Sequence, residues 1–278
     1  MSRGFALAGI LTFNCVALAA QGVMVAPHAV FIDHRLRSGS VLLYNPGTEP
    51  VEVTISTIFG YPVTDSTGAI TLRTVDAPDS TVPSALAWIQ AFPRRLTVAP
   101  RERQTVRLLA RPPAGLADGE YWLRMVIAAQ AGRVPISGVA DTTAIQVGLT
   151  LEVRTIIGVN YRKGPVTTGL ALSQLRAHIV ADSLITRARL ERRGNAAFIG
   201  TIRQTLLDSV GRVVQSYQSP IGVYVTMEPR LANLLPPPRL GRGHYWLRYE
   251  VVTEREDLDP AVVLKAPGVR DSVQLVVP

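Results

Sequence analysis

The feature that most constrains this chain is a hexapeptide it uses twice, Gly119-Glu120-Tyr121-Trp122-Leu123-Arg124 and Gly243-His244-Tyr245-Trp246-Leu247-Arg248. Gly, Tyr, Trp, Leu and Arg recur at identical spacing, and the pair uses two of the chain's three tryptophans. Each copy follows a proline- and leucine-containing turn, Pro112-Pro113-Ala114-Gly115-Leu116 in one case and Pro236-Pro237-Pro238-Arg239-Leu240 in the other, and leads into an apolar run. The glycine frees the backbone at a corner, and the tyrosine hydroxyl can bond back across it while the ring packs inward. Aromatic residues in that setting favour a half-buried strand. A second echo lies upstream of each copy: Asp65-Ser66-Thr67-Gly68 and Asp208-Ser209-Val210-Gly211 sit between extended runs, as hairpin turns do. The chain reads as two related β units in series.

A length of 278 residues with 47% apolar content suits two ordinary cores. Val51, Val53 and Ile55 alternate with Glu52, Thr54 and Ser56 after a strong turn at Asn45-Pro46-Gly47. No stretch carries a helical period with caps. The expected fold is all-β, with two immunoglobulin-like β-sandwich domains in tandem, because the tyrosine corner is a mark of that sandwich. We place the domains at residues 21–163 and 164–278, divided at Arg162-Lys163-Gly164-Pro165. Residues 23–32 read as one opening edge strand punctuated by Pro27, and residues 212–218 and 221–227 as two successive strands.

Residues 1–20 form a separate segment, a signal peptide. Ser2-Arg3 gives a small positive start, an apolar stretch runs from Phe5 to Leu18, and Ala17-Leu18-Ala19 offers small residues at cleavage spacing. The run is shorter than the roughly 20 residues a membrane span needs. The expectation is an exported, soluble protein with no stable membrane insertion once the leader is cut. Cys15, the only cysteine, lies inside it, so the mature chain has neither a disulfide framework nor thiolate chemistry.

Basic residues exceed acidic ones by eight, almost all of them Arg, with Lys only at Lys163 and Lys265. They are scattered singly or in short pairs, without the basic blocks and interleaved aromatics of a nucleic-acid surface, so nucleic acid is not an expected partner. Catalytic motifs are missing: no nucleophile elbow, no His-Glu-x-x-His, no phosphate loop. His28, His34, His178 and His244 stand far apart, which leaves no zinc-ligand spacing. We expect no enzyme activity, no metal and no cofactor.

The longest periodic signal spans residues 144–161. Ile145, Val147, Leu149, Leu151 and Val153 are apolar at every second position, and Thr155, Ile157, Val159 and Tyr161 continue the parity. Strict period two specifies one strand with one apolar face, long against a usual strand of about five or six residues. That face belongs either to the domain's own core or to a partner.

The first domain resembles the PapD-like periplasmic chaperones of pilus (fimbrial) assembly. The residues that carry the likeness are Arg37-Ser38-Gly39-Ser40-Val41 into Tyr44-Asn45-Pro46-Gly47, Trp88-Ile89 with Pro93, Leu96-Thr97-Val98-Ala99-Pro100, Gln104-Thr105-Val106-Arg107, Gly119-Glu120-Tyr121, and the alternating strand to Tyr161-Arg162. The resemblance implies a periplasmic chaperone that lends this strand to an incomplete subunit by β-strand addition. The partner would be a pilin-like or other exported β subunit, with an outer-membrane usher as a further partner. By position the donor residues would be Ile145, Val147, Leu149, Leu151 and Val153. The family holds the subunit's terminal carboxylate with two cations in the cleft between domains. Alignment places these at His28 or Ala29 and near Gly158, with Arg154 and Arg35 as substitute charge-assisted donors. The alternative is a structural or adhesive envelope protein with the same fold and no chaperone activity.

Overall fold

The computed structural model describes residues 22–79, 81–131, 151–235 and 240–277. The leader expected over residues 1–20 lies outside them, as do Ile145, Val147 and Leu149. The described residues form strands and no helix, consistent with the period-two patterning throughout. In chain order the N-terminal strands are β1 (Met24–Ala26), β2 (Ala29–Asp33), β3 (Ser38–Tyr44), β4 (Val51–Ile58), β5 (Gly60–Thr64), β6 (Ile70–Thr74), β7 (Ile89–Phe92), β8 (Arg95–Val98), β9 (Arg103–Ala110), β10 (Gly119–Ala131) and β11 (Glu152–Lys163). Two sheets, ordered β1-β3-β9-β7 and β2-β11-β10-β4-β8, face each other. Their inward residues, among them Val41, Leu108, Val53, Leu123, Met125 and Tyr161, make one buried cluster.

The remaining strands are β12 (Thr168–Val180), β13 (Ser183–Gly194), β14 (Phe198–Leu207), β15 (Val213–Val223), β16 (Arg230–Leu234), β17 (Gly243–Val252) and β18 (Val269–Val277). They form a second sandwich from sheets β12-β13-β16 and β15-β14-β17-β18. Its core has two apolar clusters, one around Phe198, Ile202, Tyr249 and Val251, the other around Leu184, Leu206, Leu247 and Leu275. The chain is thus two immunoglobulin-like sandwiches in tandem.

The repeated hexapeptide forms the same corner twice. Tyr121 donates its hydroxyl to the Ala117 carbonyl at 3.0 Å, and Tyr245 donates to the Gly241 carbonyl at 2.9 Å, each four residues back. Gly119 and Gly243 open the two corners at φ +151° and +148°, a region that disfavours any residue with a Cβ. The two Asp-x-x-Gly turns are also one structure: Asp65 Oδ1 accepts from the Thr67 and Ala69 amides, and Asp208 Oδ1 from those of Val210 and Arg212.

Two segments differ from the sequence reading. Residues 23–32 are not one strand; β1 pairs with β3, the chain crosses between sheets at Pro27, and β2 runs parallel to β11. A proline, with no amide hydrogen to give to a ladder, suits that crossing. Residues 212–227 hold one strand where two were expected: β15 runs through Pro220, which an edge strand tolerates because one side of it needs no partner. The short β16 carried no recognisable alternation.

Candidate functional site

β11 is where the two edges of one strand behave differently. On one side it pairs with β10 over its whole length, from Glu152 opposite Gln130 to Lys163 opposite Gly119. On the other it meets β2 only from Gly158 to Arg162. Among the described residues, no strand pairs with that second edge from Glu152 to Ile157. The apolar face changes character at the same place. Ile157, Val159 and Tyr161 are buried in the core, whereas Val153 is 36% exposed and Leu151 50% exposed. One parity of side chains therefore passes from core into solvent: the core reading of the alternation holds from Ile157 to Tyr161, and Leu151 and Val153 are exposed.

The opposite face of β11 looks onto the second sandwich across a cleft of about 380 Å³, roofed by Pro62 and Leu72 of the β5–β6 hairpin. Arg124, on β10, is its central cation and is only 8% exposed. Its Nε donates to the Gly60 carbonyl at 2.9 Å, its guanidinium lies 4.6 Å from the centre of the Tyr224 ring, and Nη2 is buried with no hydrogen-bond partner. A Cβ at Gly158, directly opposite Arg124, would stand 2.6 Å from Nη1. Glycine there lets the guanidinium rest on the strand. Tyr224 donates to Asn160 Oδ1 at 3.1 Å, which leaves the Asn160 Nδ2 amide, also buried, without an acceptor. Two buried donors thus lack acceptors beside this cleft among the described residues, and a buried unsatisfied donor is costly unless something accepts from it.

The other cation at the cleft is committed. Arg255 grips Asp257 through Nε at 2.7 Å and Nη2 at 2.6 Å, and His28 Nδ1 lies 3.6 Å from the same carboxylate. The Arg255 hydrogen bonds hold Asp257 below the usual carboxylate range.

Below the cleft, Glu120 ties the sandwiches together. It accepts from Trp122 Nε1 and the Ala197 amide at 3.0 Å each and pairs with Arg162 at 2.8 Å; Arg162 reaches on to the Val262 carbonyl. Around this pair Phe59, Trp122, Ala197, Ile199, Tyr224 and Leu258 form an apolar cluster built from both sandwiches.

The residues singled out in the sequence are thus distributed. Leu151 and Val153 sit at the open edge. His28, Ala29 and Gly158, where the resemblance places the two cations, all line the cleft. Arg154 and Arg35 stand elsewhere: Arg154 pairs with Glu152 on the exposed part of β11, and Arg35 pairs with Asp33 in a solvent-facing turn. Arg124, Asn160 and Tyr224 escaped the sequence reading. The signal for Arg124 was the alternation of Glu120, Trp122 and Arg124 on the face of β10 opposite the apolar one, which reads as a solvated face until a second sandwich covers it.

No family model matches this chain, and no curated protein matches it. Among solved structures it is similar to the YadV chaperone, at a TM-score of 0.47 and 13% identity over 92% of this chain and 100% of that one. It is similar to a Salmonella enterica complex of the SafA pilin with the SafB chaperone, at 0.45 and 12%, over 91% and 97%. It is similar also to the periplasmic chaperone SfaE, at 0.41 and 10%, over 92% and 100%. The likeness is one of fold at low identity.

Proposed function

We propose that this protein is a periplasmic chaperone-like binding protein that holds fimbrial or other exported β subunits by strand addition. Residues 21–163 form the subunit-holding domain and residues 164–278 the second domain, which closes the cleft. The observation that carries this reading is the half-open strand: among the described residues no strand pairs with the second edge of β11 from Glu152 to Ile157, and Val153 and Leu151 are exposed on the face that is core further along. In the sequence, Leu149, Val147 and Ile145 continue the same parity, the pattern that strand addition uses: alternate apolar side chains for a groove, with backbone bonds supplying affinity. The partner's terminal carboxylate sits in the cleft against Arg124 Nη2 and Asn160 Nδ2, the two donors that lack acceptors. Arg124 then supplies, from the neighbouring strand, the charge expected at Gly158.

The test is association with a β subunit that lacks one strand. Val153→Asp places a charge on the apolar row and removes at least tenfold of the affinity, as buried charges do in such grooves. A peptide of the subunit's C-terminus with a free carboxylate binds on the order of tenfold more tightly than its amidated form, the worth of a charge-assisted bond. Arg124→Gln removes that difference. Unchanged association of Val153→Asp, together with equal binding of both peptides, overturns the proposal in favour of a structural or adhesive role.

A further inference from the structure

A second cationic feature lies on the outer face of the other sandwich. Strand register sets Arg176 of β12 directly opposite Arg187 of β13, and Arg187 directly opposite Arg230 of β16. All three are exposed, and among the described residues none of them makes an ion pair. Neighbouring strands are about 4.8 Å apart, so three guanidinium stems stand abreast within about 10 Å. Like charges directly opposite on a sheet are destabilising, and here the pairing occurs twice in a row.

The same row borders a cavity of about 200 Å³ lined by Gln174, Arg176, Arg187, Arg189 and Glu228. Its single carboxylate, Glu228, is bound to Arg189 at 2.7 Å. At the cavity β12 breaks register between Ser173 and Arg176, with Gln174 at φ 55°, a left-handed conformation that a residue with a side chain adopts at some energetic expense. Gln174 lines the cavity together with Arg176, Arg187 and Arg189. Register, charge and local strain therefore coincide at one place.

We propose that this row is a binding site for a phosphate-bearing ligand. A carboxylate has two oxygens in one plane and is satisfied by a single guanidinium fork. A phosphoryl group offers acceptors in several directions and can be shared by forks that approach side by side. An unbranched polyphosphate, or phosphates on a lipid headgroup, matches a linear row of three. The site stands apart from the strand-addition reading and does not depend on it.

Titration calorimetry of the chain with sodium tripolyphosphate at low salt tests the site. Wild type binds; Arg187→Gln, at the centre of the row, loses at least tenfold in affinity; Arg187→Lys recovers part of it; and Arg95→Gln, at an exposed position of β8, binds as wild type. Without ligand Arg187→Gln melts no lower than wild type, since it relieves repulsion, and this separates loss of binding from loss of fold. Equal affinity of wild type and Arg187→Gln, or an equal loss in Arg95→Gln, overturns the proposal. Co-sedimentation with phosphatidylglycerol vesicles identifies the source: sedimentation abolished by Arg187→Gln assigns a lipid headgroup, and no sedimentation alongside tripolyphosphate binding assigns a soluble phosphorylated ligand.

Discussion

Glu120 and His244 occupy the same place in the two copies of the hexapeptide, yet their surroundings differ completely. Glu120 is buried with three donors on its two oxygens, while His244 faces solvent. Replacing Glu120 with Gln keeps one acceptor oxygen and turns an NH₂ towards the Arg162 guanidinium, donor against donor. Breaking a buried pair from one side costs about 3–5 kcal/mol. Chemical denaturation of Glu120→Gln should show a loss of that order, whereas His244→Gln, at an exposed position, should stay within about 0.5 kcal/mol of wild type. Because the Glu120 bonds span both sandwiches, the radius of gyration from small-angle scattering should also rise in Glu120→Gln and stay fixed in His244→Gln.

At the scale of elements, the two Asp-x-x-Gly turns offer a matched comparison. Gly68 and Gly211 have φ of +88° and +82°, so an alanine at either meets the same backbone penalty, on the order of 1 kcal/mol. Only Gly68 touches anything else: its carbonyl accepts from the Arg230 amide at 2.8 Å, and a Cβ there would lie 2.6 Å from the Arg230 Cβ. Gly68→Ala should therefore lift the β5–β6 hairpin off the second sandwich. Faster hydrogen exchange at the Arg230 and Glu228 amides is expected, and Gly211→Ala should leave both unchanged. These turns also show what was legible in the sequence. Corners, hairpins and most strands follow from local rules, since glycine, aspartate and period two act over a few residues. The cleft was not legible, because Arg124 meets Tyr224 and Gly158 only through packing across long chain separations. Gly158 itself was noticed as a missing cation, when the space it vacates is where a cation from the next strand lies.

For the molecule as a whole, five carboxylates act in one direction. Asp33, Asp65, Asp79, Asp257 and Glu152 are each held below their ordinary values, chiefly by hydrogen bonds that stabilise the charged form. A depressed folded value means that the unfolded chain binds protons first as pH falls. The stability these groups contribute is complete above the unfolded values of 3.8 and 4.5, and is lost as pH drops through the lower folded ones. Guanidinium midpoints measured from pH 2 to 6 should therefore climb and then level off above about pH 5. A midpoint that rises on acidification would contradict this assignment.

The three tryptophans stand at three depths. Trp88 packs edge-on against Tyr161 at 4.7 Å beside the first core, Trp122 packs edge-on against Tyr224 at 4.8 Å where the sandwiches meet, and Trp246 is 45% exposed. The protein consequently carries its own optical gauge. Single-tryptophan variants would report separately on the melting of the first core, the parting of the sandwiches and the wetting of the outer face. Light emitted from Trp122 should shift to longer wavelength before that from Trp88 whenever the junction opens ahead of unfolding.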